Sequence, residues 1–159
     1  MQRVTMQLTD ILRPMAVRSI GKSVGKKRVL QEMSQLAASV YGIDENVAFD
    51  ALQERESLGP TGVGEGVAIP HARVEGLDHV VGVFYRMEKP IEYDSVDRQP
   101  VDLVFALFAP VDSGVDHLKA LALVSRLLRD NSVRAKLRSN ADETTLFAIL
   151  TEIATPKAA

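Results

Sequence analysis

The chain has 159 residues, 46% of them apolar and 25% charged, with a formal net charge of −2 and no cysteine. That length suits one domain over residues 1–159 that buries roughly 70% of its unfolded surface; the missing cysteines exclude disulfides and thiolate metal sites, and the slight negative charge argues against nonspecific nucleic-acid binding. The start Met1-Gln2-Arg3-Val4-Thr5 lacks the apolar stretch of a secretion signal, and the longest apolar run, Leu103 to Val111, contains Pro110 and falls far short of a membrane span, so a soluble cytoplasmic protein is expected.

Charge is uneven along the chain. Residues 1–40 carry seven Lys or Arg against two Asp or Glu, which leaves the remainder acidic. The run Lys26-Lys27-Arg28 reads as the wet face of a helix or as a docking surface for an acidic partner. Val29, Leu30, Met33, Leu36, Ala37 and Val40 recur at three- and four-residue steps before Gly42, which predicts an amphipathic helix over 23–41 with a glycine C-terminal cap. Asp44 is the expected N-cap of a second helix in which Ala48, Ala51 and Leu52 face inward and Arg55 lies near the C-terminal end.

A glycine-rich stretch follows: Gly59-Pro60-Thr61-Gly62-Val63-Gly64-Glu65-Gly66-Val67-Ala68-Ile69-Pro70-His71. Glycines at 59, 62, 64 and 66 free the backbone to take positive φ and to turn its amides toward one point, as an anion such as a phosphoryl group requires. Pro70 fixes its own φ and pushes Ile69 toward an extended conformation, which puts His71 at the end of a short strand or on a loop. A neutral imidazole beside such a cradle is a nucleophile toward phosphorus; the alternative is a tight loop with an incidental histidine. No G-x-x-x-x-G-K-[ST] motif is present, so any phosphoryl group has to arrive on a partner.

Beyond the loop the period changes. Residues 80–85 and 101–108 are β-branched and aromatic and predict buried strands, punctuated by Pro90, Pro100 and Pro110. Leu118, Leu121, Val124, Leu127 and Leu128 then predict a helix over 116–130, with shorter helices near 132–139 and 142–153, the last capped by Asp142. This order favours an α/β fold, a central mixed sheet with helices on both faces. Of the other histidines, His79 beside Asp78 reads as an exposed turn residue. His117 falls in a first helical turn, where free amides favour an anion and disfavour a protonated ring, or is an ordinary surface residue. The three histidines lack any short metal-ligand spacing, and no metal site is expected.

The segment Arg55 to His71, together with Val81-Gly82-Val83, Pro90 to Leu107 and His117-Leu118-Lys119-Ala120-Leu121, resembles the enzyme IIA proteins of the bacterial phosphoenolpyruvate phosphotransferase system, fructose/mannitol class, and more narrowly their nitrogen-regulatory branch. The likeness runs from about Leu8 to Ile153. It implies a mixed sheet sandwiched by helices and a phosphotransferase component that needs no cofactor, with His71 accepting a phosphoryl group from a small HPr-like histidine phosphocarrier. Arg55 and His117 are implied to line the same site. Thr61, Gly62, Gly64 and Gly66 are then the candidate phosphoryl-binding residues, Thr61 because many relatives have serine where Pro60 stands. Relatives also commonly carry Gly-Lys where Ala72-Arg73 follow His71. The resemblance implies regulation of partners such as potassium transporters or sensor kinases by phosphorylation state. The alternatives are a sugar-specific IIA that passes phosphate to a separate IIB, and a noncatalytic anion- or peptide-binding domain.

Overall fold

The computed structural model describes residues 5–154, so most of the Met1 to Thr5 stretch read above for a secretion signal lies outside the described residues. A 3-10 turn, Leu8–Asp10, leads into β1 (Leu12–Ile20) and then α1 (Lys26–Tyr41) and α2 (Glu45–Ser57). Three short strands follow, β2 (Gly62–Gly64), β3 (Val67–Ala68) and β4 (His71–Arg73), then two long ones, β5 (Val81–Ile91) and β6 (Val101–Ala109). Helices α3 (Val115–Arg129), α4 (Asn131–Arg138) and α5 (Glu143–Ala154) complete the described chain.

The six strands form one mixed sheet in the order β1-β5-β6-β3-β2, with β4 also pairing β6. β1 runs parallel to β5 and β5 antiparallel to β6, while β3 and β4 both lie parallel to β6, end to end along one of its edges. Residues 81–87 and 103–109 are all buried, as strands covered on both faces must be. α1 and α2 pack together on one side, and α3, α4 and α5 form a second packed group.

The expected helices are all present, with ends shifted by a few residues. Gly42, with φ 77°, caps α1, and the Asp44 carboxylate accepts the Val47 amide to start α2. Polar side chains tie the layers to the sheet. The Tyr41 hydroxyl accepts from the Arg13 amide (3.0 Å) and donates to the Gly82 carbonyl (2.8 Å), joining α1 to β1 and β5. Buried Arg86 reaches from β5 to the carbonyls of Leu137 (3.1 Å) and Arg138 (2.6 Å) in the last turn of α4.

Two strand expectations are corrected. β1 was not expected: Pro14 and two arginines interrupt its apolar pattern, and it forms because it is an edge strand whose ladder is irregular between Leu12 and Val17, where the missing proline amide costs no pairing. β5 extends well past the expected 80–85, carrying Pro90 where the β5–β6 register breaks between Arg86 and Ile91. Gly82 is required by close approach, since a Cβ there would sit 2.6 Å from Phe105 Cε1.

Candidate functional site

The break between β3 and β4 makes the site. Pro70 cannot donate to the ladder, so pairing with β6 stops after Ala68 and resumes at His71, opposite Leu107, while the Pro70 carbonyl accepts the Leu107 amide (2.9 Å). His71 thus opens β4, half-buried at the rim of the sheet. Its Nδ1 lies 2.9 Å from the Ile69 carbonyl oxygen, which fixes the tautomer: Nδ1–H donates, and Nε2 carries the lone pair. Burial holds this imidazole below its ordinary titration range. The nearby Arg55 cation acts in the same direction, and the Ile69 carbonyl and Glu56 oppose it.

Arg55 comes from the last turn of α2, where its Nη1 donates to the Gly59 carbonyl (2.9 Å) and pins the reversal into the glycine stretch. His117 comes from the first turn of α3 and is only 7% exposed. Its ring stands edge-on to that of His71, centroids 5.5 Å apart and planes at 71°. Burial, and then the charges of His71 and Arg73, depress its titration, and its Nε2 is buried with no hydrogen-bond partner. A buried ring nitrogen without a partner is an exception in folded proteins, and this one lies beside the His71 ring. Two clefts meet at His71. One, of about 350 Å³, is lined by Arg55, Leu58, Arg73 and His117; the other, of about 340 Å³, by Arg55, Thr61, Ile69 and Leu121.

His71, Arg55 and His117 are therefore brought together. The glycines are not: Gly62, Gly64 and Gly66 build the β2–β3 hairpin, and none lines either cleft at His71. Positive φ at Gly64 (100°), Glu65 (59°) and Gly66 (76°) makes a tight reversal. The Gly66 carbonyl accepts from Asp102 and Leu103, and Arg138 binds the Glu65 carbonyl, so the loop is a clamped hairpin instead of an open nest of amides. Thr61 lines a cleft, but its hydroxyl is held by Glu56 and lies 3.2 Å from the Tyr93 hydroxyl. These bonds tie the Thr61 segment to the end of α2. His79 pairs with Asp78 at 2.5 Å, exposed and outside this site. Among the described residues no group of three or more His, Asp or Glu stands together to hold a metal ion, and no helix is long and apolar enough to cross a membrane.

Sequence reasoning missed the polar cluster behind the site. The Glu56 carboxylate, 8% exposed, accepts from Lys26 Nζ (2.9 Å), the Tyr93 hydroxyl (3.3 Å) and both donors of Thr61. Burial first, and Glu56 second, push the Tyr93 phenol far above its usual range, so it stays a donor. Nothing in the local sequence announces a cluster assembled from α1, α2 and two loops.

Residues 12–153 match the family described as phosphoenolpyruvate-dependent sugar phosphotransferase system, EIIA 2. The chain belongs to this family. It is 46% identical over 145 residues to a nitrogen regulatory protein of Bradyrhizobium diazoefficiens, covering 91% of this chain and 95% of that one. Against the nitrogen regulatory protein of Escherichia coli the identity is 40% over 149 residues, covering 93% and 91%. The crystal structure of the nitrogen regulatory protein IIA-Ntr from Neisseria meningitidis superposes with a TM-score of 0.81 at 34% identity, covering 89% of this chain and 97% of that one. The family and these relatives give the protein a regulatory role as a phosphotransferase-system component.

Proposed function

We propose that the whole chain works as one cytoplasmic IIA domain in which His71 accepts a phosphoryl group from an HPr-like histidine phosphocarrier, and that its phosphorylation state controls partner proteins. The observation that carries this reading is the single hydrogen bond from His71 Nδ1–H to the Ile69 carbonyl. It leaves Nε2 unprotonated and oriented, which is what attack on phosphorus needs.

In the transfer, the Nε2 lone pair of His71 forms the new N–P bond while the donor N–P bond breaks, its electron pair returning to the donor imidazole. The Nδ1 proton of His71 stays on Nδ1, hydrogen-bonded to the Ile69 carbonyl, throughout. No group has to be ionised for the step, so alignment and charge stabilisation dominate. Arg55 supplies a guanidinium to the equatorial oxygens, and the unpartnered Nε2 of His117, carrying its proton there, donates to one of them. Donor and product are both phosphoimidazoles, so the equilibrium lies near unity and each ~1.4 kcal/mol of extra binding in one state tilts it tenfold.

A phosphoryl group on His71, with the Nδ1 proton kept, sets a dianionic group on a cationic ring and so changes the net charge at the rim of the clefts by about −1, enough to repel an acidic partner or spoil an apolar contact without refolding. Partners such as potassium transport systems or sensor kinases fit such an output. The test is incubation with phosphoenolpyruvate, the first enzyme of the system and its carrier, followed by intact mass measurement. One acid-labile phosphoryl group is expected in the wild type and none in His71→Ala; a labelled His71→Ala protein contradicts the assignment.

A further inference from the structure

Arg73 lies two residues beyond His71 on β4, so both side chains leave the same face of the strand. It lines the cleft shared by His71, Arg55 and His117, and its charge reaches the His117 ring. Only Nη1 of its guanidinium is engaged among the described residues, donating to the Val111 carbonyl (3.1 Å) and the Ser113 hydroxyl (3.3 Å). These two acceptors belong to the turn that precedes α3, the helix that carries His117. The turn and the helix start also expose Val111, Val115 and Leu118.

Both present partners of Arg73 are neutral, Val111 exposed and Ser113 half-buried. A dianionic phosphoryl group on the neighbouring strand position is a stronger acceptor, because charge-assisted bonds are roughly twice as strong as neutral ones. The guanidinium fork has donors to spare, and a long flexible stem to turn with. We propose that Arg73 is a second phosphoryl-binding residue, and that its recruitment to phosphorylated His71 competes with its tether to the Val111–Ser113 turn, so that phosphorylation loosens the apolar start of α3. This rests on the carrier reading above and adds to it the structural element that reports the phosphorylation state.

Competition makes the two ends of the tether behave oppositely. The measurement is the equilibrium fraction of phosphorylated protein against a fixed ratio of phosphorylated to free carrier, followed by intact mass. Arg73→Ala is expected to lower the equilibrium constant about tenfold, Arg73→Lys to lower it less, and Ser113→Ala to raise it about two- to threefold. Amide hydrogen exchange over 111–118 is expected to quicken on phosphorylation of the wild type and to be already fast in unphosphorylated Arg73→Ala. A purely structural role for Arg73 predicts that Arg73→Ala and Ser113→Ala shift the equilibrium the same way, and that result, or no shift in Arg73→Ala, overturns the proposal. Wild-type protein that takes up no phosphoryl group from the carrier overturns the carrier reading itself and this inference with it.

Discussion

At the scale of single residues, the proposed transfer calls for two imidazoles kept uncharged. His71 and His117 both titrate below the ordinary value of 6.5, each chiefly through burial. Phosphoryl acceptance is therefore expected to persist below pH 6.5, falling only as the nucleophile protonates, and a stopped-flow pH profile with its midpoint at or above that of free imidazole contradicts this. The same shifts fix a sign for stability. Between the depressed folded-state values and 6.5 the unfolded chain binds more protons, so the contribution of these rings is fully present above 6.5 and is lost as pH falls through that window. His117→Ala should flatten that part of the pH dependence in urea unfolding.

At the scale of elements, α2 is held to the sheet by its penultimate residue. Removing the Glu56 carboxylate strips partners from Lys26, Thr61 and Tyr93 in a buried setting. Glu56→Ala is expected to cost about 2–4 kcal/mol, by contrast with at most about 0.5 kcal/mol for Glu32→Gln, whose partner Arg28 is largely exposed. Chemical denaturation of both variants checks the contrast, and equal costs would sink it. Slower phosphoryl acceptance is expected only in Glu56→Ala, because Arg55 precedes Glu56 in the same turn.

The helices were legible because periodicity and caps point the same way: Gly42 stops α1 and Asp44 starts α2 as their residue types predict. β1 was hidden because Pro14, Arg13 and Arg18 break the apolar pattern that marks a strand, and only its place at the sheet edge makes them harmless. The glycine stretch is ambiguous in sequence for a definite reason. Positive φ serves a phosphate cradle and a hairpin reversal equally well, and what decides between them is pairing with β6 and the reach of Arg138 from α4, neither of which is local. His71 itself was legible from Pro70, and His117 from the motif resemblance. Arg73 carried a readable signal in its two-residue spacing from His71, whereas Glu56 carried none.

At the scale of the molecule, the sheet is a slab covered on both sides, and the candidate site lies where its pairing is interrupted between β3 and β4. Arg86 joins that slab to the layer of α3, α4 and α5 by binding the last carbonyls of α4 and the Ser19 hydroxyl of β1. Arg86→Leu keeps much of the apolar bulk but takes the guanidinium away from those carbonyls, and is expected to lower unfolding stability by about 2–4 kcal/mol. An unchanged urea midpoint would show that the layers are held by apolar packing alone. The charge bias of residues 1–40 resolves partly into working contacts, with Lys26 stacked 4.4 Å from the Tyr93 ring centroid and Arg13 5.2 Å from that of Tyr41.

The central claim concerns one nitrogen atom: the Ile69 carbonyl occupies Nδ1 of His71 and leaves Nε2 to react. Nitrogen-15 labelling of histidine with phosphorus-coupled NMR of the phosphorylated protein reads this directly. The expected result is a phosphorus coupling to Nε2 of His71 with the Nδ1 proton retained; coupling to Nδ1, or to either nitrogen of His117, would contradict the account.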